Sequence, residues 1–286
     1  MALQADLLRY QWTLVSIPFS HFNERARWAL DLAGVAYRTV RVLPFFNLPV
    51  VALYQWWYRF QGKRDSVSSP LSTPLLVGRA PRLPTVVIGD SAEMIALADR
   101  ERKLALCPPA QADAIRDFER ACHNDLAPAA RVLAYHFLLP SWSLSGRLMF
   151  HNAGVLQASL FMLLFPVIRA GLRAALRIDA ARMQRALAKI EAVFVRASAA
   201  LDANAALYKT DRPYLCGDSF TAADLTFAAL ASIVVGIGRD DGFGAWMPRR
   251  ADFPPDLVAA QERLRATRAG QHVLRMYREH RRPHRP

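Results

Sequence analysis

The stretch "WTLVSIPFSHFNERARWALDLAGVAYRTVRV", residues 12–42, decides the fold. It opens on a short run rich in β-branched and aromatic residues, "WTLVSI", bounded by Pro18, which predicts a strand. Phe22, Ala26, Ala29, Leu30 and Ala33 then recur at helical spacing, and Gly34 stands where a helix C-terminal cap belongs. "YRTVRV" (37–42) predicts a second strand. Strand, helix and strand in this order form a βαβ unit, whose strands run parallel with a right-handed crossover.

Downstream of an aromatic segment at 43–60, "QGKRDSVSSPLS" (61–72) reads as a loop. "TPLLV" and "PTVVI" predict two further strands, and the turn-rich "GRAPRL" between them makes an antiparallel hairpin. "SAEMIALADRERKLAL" (91–106) predicts a helix. "CPP" (107–109) marks a boundary beyond which strand signals almost vanish. Alanine-rich amphipathic stretches at 110–139, 178–208 and 220–235 all predict helices. The expected class is therefore α/β plus all-α, with a βαβ–ββα domain over 1–106 and an all-helical domain over 107–286.

Apolar residues make up 53% of the 286, ample for a buried core, and the formal net charge is +13. That charge favours anionic partners, whether small acids, nucleic acid or lipid headgroups. No nucleic-acid-binding motif accompanies it, and the basic, proline-broken "RMYREHRRPHRP" reads as a frayed terminus. Cys107, Cys122 and Cys216 are widely spaced with no C-x-x-C, which indicates neither a redox pair nor a zinc ribbon. The histidines lack metal-ligand spacing, so no metal is expected. "MALQADLLRYQW" has no basic start or cleavage site of a signal peptide, and the reduced thiols suit a cytoplasmic protein.

The order of a βαβ–ββα unit followed by alanine-rich helices resembles the soluble glutathione transferase family, over nearly the whole chain. "SHFNERARWALDLAGVAY" is similar to that family's first helix with the catalytic position just ahead of it. Ser20 stands five residues before Arg25, where omega-like members place cysteine and other classes serine or tyrosine. The resemblance implies that Ser20 stabilises a glutathione thiolate. The unpaired N–H groups and partial positive charge of a helix N-terminus favour the same anion, and Arg25 and Arg27 add long-range attraction. Ordinary helix capping by Ser20 is the competing reading, and Ser16 is the alternative hydroxyl. Asn23 occupies a position where some related sequences carry cysteine. With no cysteine at 16–24, mixed-disulfide chemistry is not expected.

"STPLLV" followed by "VIGDSAEMI" matches a second family feature, a cis-proline before the third strand and an acidic residue with serine at the next helix start. By resemblance, Pro74 is the cis-proline and Thr73 pairs with the cysteinyl part of glutathione. Ser91 with the helix N-terminus would hold the γ-glutamyl carboxylate, and Asp90 its ammonium group. Pro84 is the competing cis candidate, but it lies too close to Ser91 to leave a full hairpin. Ordinary capping again competes for Asp90 and Ser91. In "GDSFTAADLTFAAL", Thr221 and Asp224 have capping-box spacing and Phe220 is placed to staple onto Leu225, a folding role.

The resemblance implies a transferase that conjugates glutathione to a hydrophobic small-molecule electrophile, with the helical domain supplying an apolar pocket and a homodimer as the assembly. Tyr135, His136 and His151 are candidate pocket residues, although single polar groups on apolar faces are more often core. The alternative is a non-catalytic module of the same fold that docks on a membrane surface or protein partner. It draws on two uncharged stretches, 42–58 and 148–168. The second approaches the length of a bilayer span, but His151, Asn152, Gln157, Ser159 and Pro166 favour a buried or interfacial helix. Peripheral membrane contact with 43–60 exposed, and burial of both stretches within the chain or at a dimer interface, remain the two expectations.

Overall fold

Among the residues that the computed structural model describes, 9–59 and 71–281, the chain forms two compact units, 9–105 and 106–281. Most of the expected 61–72 loop, the first eight residues and the basic end beyond Arg281 lie outside the described residues.

The first unit is built on one sheet in the order β2-β1-β3-β4. The strands are β1 (Gln11–Ser16), β2 (Tyr37–Arg41), β3 (Leu75–Arg79) and β4 (Val86–Ile88). β1 and β2 are parallel, as the crossover helix α1 (His21–Leu32) requires. β3 runs antiparallel to both β1 and β4. Leu14 and Val15 point to opposite faces and both are fully buried, so the central strand is covered on both sides. Val15, Leu75, Val77 and Val87 form an apolar cluster with Val42 and with Val51 of α2 (Asn47–Arg59). Trp12 pairs with Gly78, where a Cβ would lie 2.5 Å from the indole ring; only glycine lets that ring cross the strand.

α1 ends as its sequence requires, with Gly34 at φ +62° in the left-handed region directly after the cap residue Ala33. α1 packs beside α3 (Ser91–Arg102), and Arg102 Nε donates to the carbonyl of Ala33 at 2.6 Å. The arrangement is the thioredoxin-like βαβ–ββα unit. The aromatic segment forms α2, which presents Val51 to the sheet while Leu48, Leu53 and Trp56 face outward.

The second unit is helical. α4 (Ala112–Ala121) passes through a wider turn at Cys122–Leu126 into α5 (Ala127–Leu138). α6 (Trp142–Asn152), α7 (Val155–Ala175), α8 (Ala180–Tyr208), α9 (Ala222–Val235), α10 (Pro255–Ala266) and α11 (Arg268–His280) follow. α9 is buried almost throughout and packs against α4, α5, α10 and α11. Its alanines permit that close approach on every side. Phe227 of α9 meets Phe118 and Phe194 edge-on, at 5.8 and 5.3 Å between ring centroids. The Asp224 carboxylate accepts the Thr221 N–H at 2.9 Å and its hydroxyl at 2.8 Å, as the capping spacing anticipates. Phe220 stacks on His280 at 4.2 Å.

The uncharged run at 148–168 is split between two helices at Ala153–Gly154. Within the chain α7 is not buried: 22% of its most apolar window is covered.

Candidate functional site

The sheet register brings three chain ends to one edge. Val15, near the end of β1, pairs with Leu75 at the start of β3, and Leu76 pairs with Ile88 at the end of β4. The β1–α1 turn, the segment entering β3 and the β4–α3 turn therefore share that edge. Ser20, Thr73, Pro74 and Asp90 lie on these three segments, and Ser91 opens the helix that follows the last of them.

Ser20 occupies the N-cap of α1 with extended backbone, φ −79° and ψ 131°. Its amide closes a tight turn onto the Ile17 carbonyl at 3.1 Å, and its carbonyl accepts the first helical bond from Glu24 at 2.9 Å. Its hydroxyl makes no cap hydrogen bond. The side-chain capping that competes for this residue is thus not taken up by its hydroxyl.

Ser16 is fully buried, and its hydroxyl accepts from Arg27 Nη1 at 3.1 Å. Arg27 also donates to the Pro18 carbonyl at 2.7 Å and forms an ion pair with Glu24 at 2.8 Å. For Arg27 this corrects the expectation of long-range attraction. Arg25 and Arg27 are both buried, and the Arg27 charge is compensated by Glu24, itself fully buried. Arg27 fixes the shape of the turn that presents Ser20 rather than supplying net positive charge to it.

The Thr73–Pro74 peptide bond is cis. Thr73 stands just outside the β3 ladder, which begins at Leu75. Its hydroxyl oxygen accepts from Asn23 Nδ2 at 3.3 Å, so the first turn of α1 is tied directly to the proline turn. Asn23 is fully buried, and its Oδ1 has no hydrogen-bond partner. A buried acceptor left unmet is costly, so it marks a place where a donor belongs. Pro84 sits in the β3–β4 hairpin, its carbonyl accepting from the Tyr10 hydroxyl at 3.0 Å.

Asp90 is the N-cap of α3, and its Oδ1 accepts from the Ala92 N–H at 2.8 Å. Capping therefore accounts for part of the Asp90 carboxylate, while its negative charge at a helix start also suits an ammonium partner. Ser91 is the first helical residue and is buried. Two helix N-termini, those of α1 and α3, thus open at one sheet edge, and each favours an anion.

Each candidate pocket residue of the helical unit has surroundings of its own. His151 stacks on Trp246 at 4.1 Å, His136 lies edge-on to its neighbour Phe137, and burial raises the Tyr135 phenol above its ordinary pKa. Among the described residues no group of three or more His, Cys, Asp or Glu side chains is placed to hold a metal ion.

Sequence reasoning passed over Glu24 as part of the site and assigned no role to Asn23. Their signal is faint: polar residues adjacent to apolar helical positions look solvent-facing until the strand–turn geometry buries them.

No protein-family model and no curated protein matches the chain. Solved structures do. A glutathione transferase of Ceriporiopsis subvermispora in complex with glutathione is 18% identical, with a TM-score of 0.57 over 94% of this chain and 97% of that one. The transferase GSTFuA3 of Phanerochaete chrysosporium is 15% identical, with a TM-score of 0.58 and the same coverage. The β-etherase LigF of a Sphingobium strain is 14% identical, with a TM-score of 0.52 over 93% of this chain and 99% of that one. The likeness is one of fold, a thioredoxin-like domain followed by a helical domain.

Proposed function

We propose that the chain is a glutathione-dependent transferase, in which the domain over 1–106 binds glutathione and the helical domain over 107–286 serves a hydrophobic electrophile. One observation carries the reading. Ser20 at the N-cap of α1, the Thr73–Pro74 cis bond and the Asp90–Ser91 start of α3 share one edge of the sheet. Fold likeness to a glutathione transferase solved with glutathione supports the same co-substrate.

The assigned roles follow from chemistry. The cysteinyl backbone of glutathione pairs with Thr73 beyond the end of the β3 ladder. Its γ-glutamyl carboxylate sits at the α3 N-terminus beside Ser91, with the ammonium group on Asp90. The sulfur is placed at the α1 N-terminus, where Ser20 donates to it and favours thiolate over thiol. That thiolate attacks an electrophilic carbon of the co-substrate, and the leaving group departs with the bonding pair. Lowering the thiol pKa by about 2 units takes about 2.7 kcal/mol of preference for the anion.

Glutathione binding tests the reading. At a concentration of about 100 times Kd the ligand stabilises the fold by about 2.7 kcal/mol, a rise of several degrees in Tm. No thermal shift at millimolar glutathione, together with no retention on a glutathione resin, would remove the enzyme from consideration. The exposed α7 face then favours the second reading, a non-catalytic docking module of the same fold.

A further inference from the structure

Among the described residues one helix, α7, is long and apolar enough to cross a membrane by length and composition. It has 21 residues, and its most apolar 18-residue window has a mean hydropathy of 1.8, yet only 22% of that window is buried. A core helix of such composition would be covered all round. α7 is covered on one face, where its own Ala158, Phe161, Met162 and Phe165 are buried, with Phe165 edge-on to Trp142 of α6 at 5.3 Å.

The opposite face is an apolar stripe. Leu156, Leu163 and Val167 are 85%, 76% and 74% exposed, and Leu160 between them is 42% exposed. Their spacing of three and four residues puts them on one line. Arg169 and Arg173 follow toward the C-terminal end of the helix and Arg177 stands in the turn beyond its end at Ala175; Arg173 and Arg177 are exposed. From Leu126 to Ile178 the sequence contains arginines but no aspartate or glutamate. The stripe therefore asks for two things side by side, hydrocarbon and negative charge. An anionic bilayer supplies both. A second copy of this chain, at net charge +13, supplies the first and repels on the second.

We propose that α7 attaches the protein peripherally to anionic membranes. The helix lies in the interfacial plane with Leu156, Leu160, Leu163 and Val167 among the acyl chains and Arg173 and Arg177 among the headgroups. At about 30 Å the helix has the length of a bilayer core. Its packed face, held to α6 through Phe165 and Trp142, keeps it in the plane rather than across it.

Vesicle flotation of the full chain, without glutathione, tests this. At low salt the protein floats with phosphatidylcholine–phosphatidylglycerol vesicles and releases at high salt. Replacing Leu163 and Val167 together by Gln lowers partitioning at least about 100-fold, from the apolar area withheld. The pair Arg173→Gln and Arg177→Gln lowers it about 25-fold on anionic vesicles only. Both pairs of positions are exposed, so unchanged Tm certifies the fold. Full recovery in the soluble fraction with anionic vesicles at low salt overturns the proposal. So does retention through carbonate extraction, which would mean a span. A dimer in sedimentation that the Leu163 and Val167 variant dissociates, without vesicle binding, would assign the stripe to a second copy.

Discussion

Arg27 donates to the Ser16 hydroxyl at 3.1 Å, and this bond divides the labour between the two serines of the first turn. Ser16 is fully buried and engaged in holding the turn; Ser20, four residues on, is half-buried and makes no cap hydrogen bond. The two hydroxyls that compete for the thiol are therefore not equivalent. Ser20→Ala slows conjugation by about 10- to 1000-fold, the range for loss of one donor to a developing or stabilised anion. The defect shrinks at alkaline pH, where the thiolate forms without help. Ser16→Ala acts on Tm instead, by loosening Arg27. Steady-state kinetics across pH separates these outcomes; unchanged turnover in Ser20→Ala returns Ser20 to the end of a helix and nothing more.

Asn23 acts on the same site through its neighbour. Its Nδ2 holds the Thr73 hydroxyl at 3.3 Å, and Thr73 is the residue proposed to pair with glutathione. Asn23→Ala frees that turn and removes a neutral hydrogen bond worth about 0.5–1.5 kcal/mol. Calorimetric titration is expected to show glutathione affinity weakened up to about 10-fold, with the far-ultraviolet dichroism unchanged. Affinity equal to that of the parent chain would mean that the Thr73 turn holds its shape without Asn23.

The Glu24–Arg27 pair predicts a larger effect on stability. Glu24 is fully buried and Arg27 nearly so, at 2.8 Å from one another. Removing one member leaves an uncompensated buried charge, at about 3–5 kcal/mol. Glu24→Ala should therefore lower stability in denaturant titration by that amount, far beyond a surface helix substitution. Replacement of both residues by apolar side chains recovers much of the loss, because no charge then stays buried. A loss below about 1 kcal/mol in Glu24→Ala would show that the Arg27 guanidinium finds other acceptors once Glu24 is gone.

The contrast between these residues explains what was legible in the chain. β-Branched content bounded by Pro18 located β1, apolar side chains at spacing three to four located α1, and Gly34 carries its own stop signal at φ +62°. Thr221 and Asp224 were legible for the same reason, as a local spacing with a local hydrogen bond. Glu24 and Arg27 were not, since their burial depends on the Pro18 carbonyl and Ser16, nine and eleven positions away from Arg27 along the chain. Charge in sequence reads as solvent exposure, and only tertiary pairing reverses that. Composition likewise gave the apolar length of 148–168 but not which side is covered, which depends on where α6 lies.

The pH response of the helical unit rests on His280. Its ring stacks on Phe220 at 4.2 Å between centroids, and Nε2 lies 3.2 Å from the Tyr214 hydroxyl. Burial lowers its pKa below the ordinary 6.5; the carboxylates of Glu279 and Asp224 oppose the shift, and Arg275 and His272 assist it. The folded state therefore takes up its proton at a lower pH than the unfolded chain. Between the two values the unfolded state holds more protons, so stability rises with pH. The contribution is complete above about pH 6.5 and is lost as pH falls through the folded-state value. His280→Phe keeps the stacking partner and removes the titration. Thermal melts from pH 7.5 down to 5 should show a steeper fall in Tm for the parent chain than for the variant, while carboxylates that titrate at lower pH affect both alike. Parallel profiles, or a parent chain that gains stability on acidification, would show that His280 does not carry the dependence.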